Sequence, residues 1–435
     1  MDPKRYPPPS LAWLIWGLSA AFYFIGFYQR VAPAVITNQL MADFNIGAAA
    51  LGNLSAFYFY SYVLMQIPTG ILADNWGPRK LLTAGALVTA AGTLLFAAAP
   101  SIVPANLGRL LIGGAVGVSY VATLRLAACW FDSRLYATLS GLALLCGVLG
   151  AVSAGVPLHF LVIRFGWRAV MLAAAALLFL IGAAIWWIVR DDPSERGYRS
   201  FAPSETRAAV SAAMLRRDLM TVFGYRNVRL LFLVGCGLTG PVVTFTGLWG
   251  VPYFTTHYAM SIPTASAITS TMLICFAAGA MLLGLLSDRI GRRKPVIFAG
   301  AITALLAWLP ILLIPNLPFR LLIGLVAVTG LSAGSSIICF AFVKESVPAR
   351  LAGTVSGVQN MGAMLGSMIL PPAIGWALDL GWRGAMAGGV RIYDLAAYRS
   401  GFLLIVAFAV LSVLLVGFTA DTRCRQSGAS DRKVA

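Results

Sequence analysis

"GILADNWGPRK" occupies residues 70–80 and "GLLSDRIGRRK" occupies residues 284–294, an offset of 214 positions (284 minus 70). Two further segments return in the same order. "RLYATLSG" at 134–141 comes back as "RLAGTVSG" at 350–357, and "RLLIG" at 109–113 recurs at 320–324. Three matched segments at nearly one period mean that the chain is built from two copies of one half.

Composition says what those halves are made of. Of 435 residues, 59% are hydrophobic and only 11% charged, whereas soluble domains carry roughly a quarter charged residues. A bilayer core of ~30 Å asks for about 20 apolar residues per helix. Twelve such windows stand between charges, prolines and glycines: 11–36, 48–69, 81–99, 105–128, 137–160, 167–189, 228–252, 265–286, 295–314, 320–342, 352–374 and 399–419. The chain therefore divides into residues 1–189, a linker at 190–227 and residues 228–435, with six spans in each half. Lys4 and Arg5 precede the first run as in a signal peptide. The run exceeds a signal core of ~7 to 15 residues and no small-residue cleavage site follows, so it reads as a retained span.

A net charge of +17 would suggest nucleic acid in a soluble protein. Here the position of each base relative to the spans decides. With both termini in the cytoplasm, most of the 32 Lys and Arg fall on the cytoplasmic side, eight of them in the polar stretch from Arg190 to Arg229. Arg164, Arg168, Arg320, Arg383, Arg391 and Arg399 remain outside, while Arg30, Arg109 and Arg125 lie within spans. That asymmetry is the positive-inside signal of a multi-pass plasma-membrane protein, in a bacterium the inner membrane. The six cysteines lie scattered in or beside spans without Cys-x-x-Cys spacing, as packing residues do.

Internal repeats of spans are a habit of secondary transporters, and here the resemblance becomes specific. Over essentially its whole length the chain resembles the major facilitator superfamily, whose loop signature Gly-x-x-x-Asp-x-x-Gly-x-Arg-Lys matches residues 70–80, with the usual second copy at 284–294. The resemblance implies an all-α membrane protein of twelve transmembrane helices in two six-helix bundles related by a pseudo-two-fold axis. In the loops, Gly70 and Gly284 are expected to let a helix end approach its neighbour, and Gly77 and Gly291 to permit a tight turn. Asp74 and Asp288 suit a helix N-terminus, and Arg79 with Lys80, and Arg292 in the second copy, suit carboxylates such as Asp132. Together they are expected to form a cytoplasmic latch that breaks between two states. The alternative is a motif that only fixes loop shape.

"QRVAPA" at 29–34 and "GRLLIGGAVGVSYVATLRLAACWF" at 108–131 are similar to the organic anion symporters of that superfamily. Those often have Asp-Arg in span one, an arginine in span four followed seven residues on by Glu, and a later Trp-Phe. Arg30, Arg109, Trp130 and Phe131 match; Gln29 and Val116 stand where the two carboxylates would be. The resemblance thus implies an anionic substrate while the usual proton carriers are missing.

All fifteen acidic residues lie outside the apolar runs. A charge at the bilayer centre costs between ~2.5 and ~17 kcal/mol and normally faces a wet cavity, so Arg30 and Arg109 are the leading substrate contacts. Snorkelling is the competing reading for Arg30, and a brace onto span-one carbonyls for Arg109. Arg125 and Arg320 sit near span ends and read as snorkelling. Helical spacing adds Tyr23 and Phe27 in span one, Ser55, Tyr58, Tyr62 and Gln66 in span two, and Tyr120 in span four. The second half offers Thr246, Trp249 and Tyr253 in span seven and Ser356, Asn360 and Ser367 in span eleven. Each alone is more often a packing residue.

No Gly-x-x-x-x-Gly-Lys-Ser/Thr loop is present for ATP. His159 and His257, the only histidines, have no carboxylate beside them for intramembrane catalysis. The expectation is a non-enzymatic carrier, monomeric and needing no cofactor or metal. It would move a small carboxylate or sugar acid by alternating access about a midplane site, with a coupling proton or in exchange for another anion. The second reading is an exporter of drug-like or siderophore-like molecules, for which "GVLGAVSAGVP" at 147–157 matches the usual Gly-x-x-x-Gly-Pro segment only in part. A receptor on the same fold is the third.

Overall fold

The computed structural model describes residues 5–202 and 212–426, apart from the side chains of Ile71, Asp74, Ala212, Ala213 and Leu215. The expectation placed on the Asp74 carboxylate therefore lies outside the described residues. Helices account for nearly all of what is described. They are α1 (Pro9–Val31), α2 (Thr37–Phe44), α3 (Ala48–Trp76), α4 (Pro78–Ala98), α5 (Ile102–Val116), α6 (Ser119–Trp130), α7 (Tyr136–Ser153), α8 (Val156–Phe165) and α9 (Trp167–Ile188). After the linker come α10 (Ala212–Phe223), α11 (Arg226–Thr244), α12 (Gly250–His257), α13 (Ile262–Ile290), α14 (Lys294–Leu313), α15 (Phe319–Ala333), α16 (Ile338–Glu345), α17 (Ala352–Leu380) and α18 (Leu395–Gly417). A two-stranded hairpin, β1 (Met386–Ala387) and β2 (Val390–Arg391), precedes α18.

Among the described residues eleven helical stretches are long and apolar enough to cross a membrane. The remaining expected span, 48–69, is the 29-residue α3. Several helices outrun their apolar windows: α3 continues to Trp76 and α17 to Leu380. Span seven carries Pro241 and Pro252 and departs from a regular α-helix between them. The departure takes the form of a π-helical turn at Phe245–Trp249 between α11 and α12, where Pro252, three residues beyond, has no N–H to offer the Leu248 carbonyl.

The chain packs as two compact units. Unit 1 takes the chain through Arg30, then Tyr60–Ala154 and Phe160 onward into the linker; unit 2 takes Val31–Phe59, Gly155–His159 and the chain beyond the linker. This division departs from the sequence boundary, because Val31–Phe59 of the first half belongs to unit 2. In unit 1, α4 packs on α5 and α9. A Cβ on Gly92 would meet the Gly108 carbonyl at 2.9 Å, the close backbone approach that drives helix association where no hydrophobic effect operates. In unit 2, α11 packs on α17 and α18, α13 on α15, and α14 on α15 and α18.

Both units repeat the same braces, and the aspartates in them, Asp191 and Asp421, had not been singled out. The backbone N–H of Arg79 donates to Asp191 in unit 1 at 2.6 Å, and that of Arg293 donates to Asp421 in unit 2 at 3.3 Å. Arg168 donates to the carbonyls of Ala97 and Ala99 at the C-terminal end of α4, and Arg399 to the carbonyl of Leu313 at the end of α14. A guanidinium there satisfies carbonyls that the helix leaves open and opposes its dipole.

Candidate functional site

The repeated loops are each tied down within their own unit. Gly77 and Gly291 have φ of 81° and 69°, the left-handed region that glycine enters without strain, so the turn expectation holds. The close-approach expectation for Gly70 and Gly284 does not hold: at neither does a neighbour lie within 4 Å of where a Cβ would sit. Arg79 donates from its guanidinium to the Trp186 carbonyl at 2.7 and 3.0 Å and stacks over the Trp186 ring. Asp132, the expected partner, instead accepts from the Arg134 N–H and caps its own turn. Lys80 is exposed.

In the second loop the register shifts by one. Arg292 approaches Asp421 only at 3.9 Å. Arg293 is the organising cation: it binds Asp288, donates from Nε and Nη2 to Glu345 at 3.0 and 2.8 Å, and reaches Ser287. Counting from Gly77 and Gly291 shows why, since Arg79 aligns with Arg293 and not with Arg292. Asp288 therefore pairs with an arginine rather than facing a helix N-terminus.

In unit 1 the structure gathers the candidates of spans one and four. Arg30, the last basic residue of α1, is 7% exposed, and its guanidinium lies 5.2 Å from the centre of the Phe27 ring. Phe27 contacts Tyr23 (4.7 Å), and Tyr23 contacts Tyr120 (5.5 Å). One aromatic ladder thus runs from Arg30 along α1 to Tyr120 on α6. Tyr62 and Gln66 are half-buried on α3.

Arg109 is placed differently. It is 1% exposed and donates from Nη1 to the main-chain carbonyl of Gln29 at 2.7 Å. Arg125, expected to snorkel, donates to the Ala73 carbonyl at 2.6 Å and so fixes the last turns of α3. The two positions without acids are also accounted for. Gln29 donates from Nε2 to Thr93 at 3.2 Å, and Val116 lies 2.5 Å from where a Cβ on Gly26 would sit. One is a satisfied amide and the other a packing contact, at places where a carboxylate would be buried.

The candidates in unit 2 are more enclosed. Tyr58 is fully buried, and Trp249 is 1% exposed with its indole N–H on the Pro371 carbonyl at 3.2 Å. Thr246 donates to Val242 and Tyr253 to Ile311 main-chain carbonyls, and Ser367 is buried. Asn360 is half-buried on α17, as is Ser356, which donates to Ala352.

Comparison with known proteins agrees in family and fold. The model of the Major Facilitator Superfamily matches residues 15–251 and 231–432. The probable galactarate/D-glucarate transporter GarP of Escherichia coli K12 is 22% identical over 384 residues, covering 82% of this chain and 85% of that protein. The probable sulfoacetate transporter SauU of Cupriavidus necator is 23% identical over 411 residues, covering 90% and 91%. Among solved structures, a bacterial homolog of the human lysosomal transporter Spinster, inward-facing and occupied, superposes with a TM-score of 0.73 at 16% identity, covering 95% and 97%.

Proposed function

The chain belongs to the major facilitator superfamily, and from that premise we propose that it is a secondary transporter. It moves a small organic anion of carboxylate or sugar-acid type by alternating access, as symport or exchange. The observation that carries the substrate charge is Arg30, a permanently charged fork buried at the end of α1 beside an aromatic ladder. A guanidinium can bind a carboxylate in two parallel hydrogen bonds while Phe27, Tyr23 and Tyr120 cover the carbon skeleton. GarP and SauU are named for acids of this class, galactarate or D-glucarate and sulfoacetate.

In this reading Arg109 positions α1 rather than touching the anion, and Tyr62 and Asn360 supply polar contacts. Tyr58 and Trp249, both buried, shape the helices that carry them. The amide at Gln29 and the packed Val116 leave no acid at the usual depth, which favours exchange of one anion for another. The linker, both termini and the two repeated loops lie in the cytoplasm, where the excess of Lys and Arg belongs, and the protein works as a monomer in a bacterial inner membrane. The test is counterflow into proteoliposomes preloaded with galactarate, D-glucarate or sulfoacetate. Accumulation of the labelled acid against its own gradient is expected; absence of counterflow for every small carboxylate and sulfonate tried would overturn the reading.

A further inference from the structure

The later part of the linker folds as α10, whose two faces are unlike. Val222 is fully buried, and Leu219 packs with it on the core that α11 and α17 share. The opposite stripe carries Arg216, Arg217, Met220 and Phe223, at the three- and four-residue steps that set side chains above one another on a helix. Both arginines are exposed, Met220 is 70% exposed and Phe223 is 38% exposed. The packed face fixes how α10 is rotated, so two guanidinium groups and an apolar pair are presented outward together.

Position along the chain sets the depth of that face. Only Gly224 and Tyr225 separate α10 from α11, which opens a stretch long and apolar enough to cross a membrane. From Phe223 to Arg226 the chain can cover no more than about 11 Å. The N–H groups of Gly224 and Tyr225 bond back to the carbonyls of Thr221 and Val222, which shortens the step. The elbow therefore stands where the span meets the headgroups.

Charge at the elbow has one sign. Residues 212–229 contain four arginines, Arg216, Arg217, Arg226 and Arg229, all exposed, and a single acid, Asp218. That acid is engaged: Arg350, just before α17, approaches it at 3.4 Å, and the Asp218 side chain is 15% exposed. We infer that the outward face of α10 docks on an anionic lipid surface, with acidic phospholipid headgroups on Arg216 and Arg217 and with Met220 and Phe223 at the acyl boundary. A helix that mixes basic and apolar groups in this way lies in the plane of the interface, its long basic side chains reaching back to the phosphates. Lipid is favoured over a soluble acidic protein because the membrane is already at the elbow, and no association step has to bring it there. The inference rests on the chain crossing a membrane and not on its cargo, so failure of counterflow would leave it standing.

The experiment places a spin label through Met220→Cys on the full-length chain cleared of its own cysteines. The protein is held in nanodiscs of phosphatidylcholine, alone or mixed with phosphatidylglycerol. Collisions with oxygen, which concentrates in lipid, and with a nickel chelate, which stays in water, report immersion. Phosphatidylglycerol should raise the ratio of immersed to exposed label by roughly fivefold for each engaged arginine, and high salt should reverse the gain. Arg216→Gln with Arg217→Gln should lose the gain. Arg216→Lys with Arg217→Lys should keep it, because attraction to a charged surface needs no planar fork. The salt response of the chain with both arginines decides the matter if either double variant fails to fold. A label open to the nickel chelate in both lipids would overturn the inference and leave the face to a soluble partner. Equal immersion in both lipids, indifferent to the two arginines, would overturn it too, by showing apolar contact without recognition of charge. Displacement by inorganic phosphate beyond that by chloride at the same ionic strength would make the face a site for a free anion instead.

Discussion

Arg109 donates from Nη1 to the main-chain carbonyl of Gln29, 2.7 Å away, and Gln29 is the residue before Arg30. One buried arginine thereby fixes the stretch of α1 that presents the other. In the proposed reading the two cations have separate duties, Arg109 bracing α1 and Arg30 meeting the anion.

Arg109→Gln should therefore lower stability by about 1.5 to 3 kcal/mol, the usual worth of a hydrogen bond to a charged group. Anion affinity should fall as a secondary effect. Arg109→Lys, which can still reach a carbonyl, should recover part of the stability. Thermal unfolding in detergent, with and without D-glucarate, checks both. An Arg109→Gln protein as stable as wild type would show that the brace is idle.

Arg30→Gln should leave the fold intact and weaken anion binding by thirty- to several thousandfold, since truncating one partner of a desolvated charge pair costs ~2 to 5 kcal/mol. Arg30→Lys should not restore affinity, because an ammonium cannot supply the planar fork. The reading is the thermal shift produced by the anion in each variant. A shift that persists undiminished in Arg30→Gln would make the arginine a snorkelling residue.

At the second repeated loop, Glu345→Gln should disturb the protein more than Asp288→Asn. The Glu345 side chain is 15% exposed and takes two donors of Arg293, whereas Asp288 is 62% exposed, where water competes. Asp288→Asn should alter the balance of states by no more than about 1 to 3 kcal/mol. Spin-label distances across the Arg293 network and melting temperatures rank the two.

A cysteine placed at Ser200 in a chain cleared of its own cysteines should resist impermeant maleimide in intact cells and react after permeabilisation. Strong labelling from outside would reverse the assignment of sides.

Counterflow at a fixed outer pH should survive collapse of the pH gradient, because Gln29 and Val116 occupy the positions where a proton carrier would stand. Introducing Gln29→Glu should bring a dependence on the gradient. A wild-type rate that vanishes with the gradient would point to a coupling group elsewhere.

The twelve spans were legible because a bilayer allows few alternatives: an apolar run of the right length has to be a helix. Their ends were less legible, since a helix continues past the lipid for as long as its polar residues find partners. Reading span eleven as closed at 374 put Asp379 in a loop, whereas it stands on α17 and accepts from the N–H groups of Ala48 and Ala49 at the start of α3. The one-residue slip from Arg293 to Arg292 came from adjacent arginines that only register or contact can separate. The brace made by Arg109 could not be read from the sequence because its acceptor is a main-chain carbonyl, which no residue type announces. Asp191 and Asp421 were invisible for the same reason, their partners being backbone amides.

Those two aspartates show what the repeat preserves. Asp191 holds the backbone of Arg79, and Asp421 holds the backbone of Arg293; Arg168 and Arg399 repeat a second bond at the ends of α4 and α14. Both aspartates fall outside the three matched segments of sequence. The kinship of the halves is therefore wider than their shared letters: it extends to side chains that hold the backbone at corresponding places.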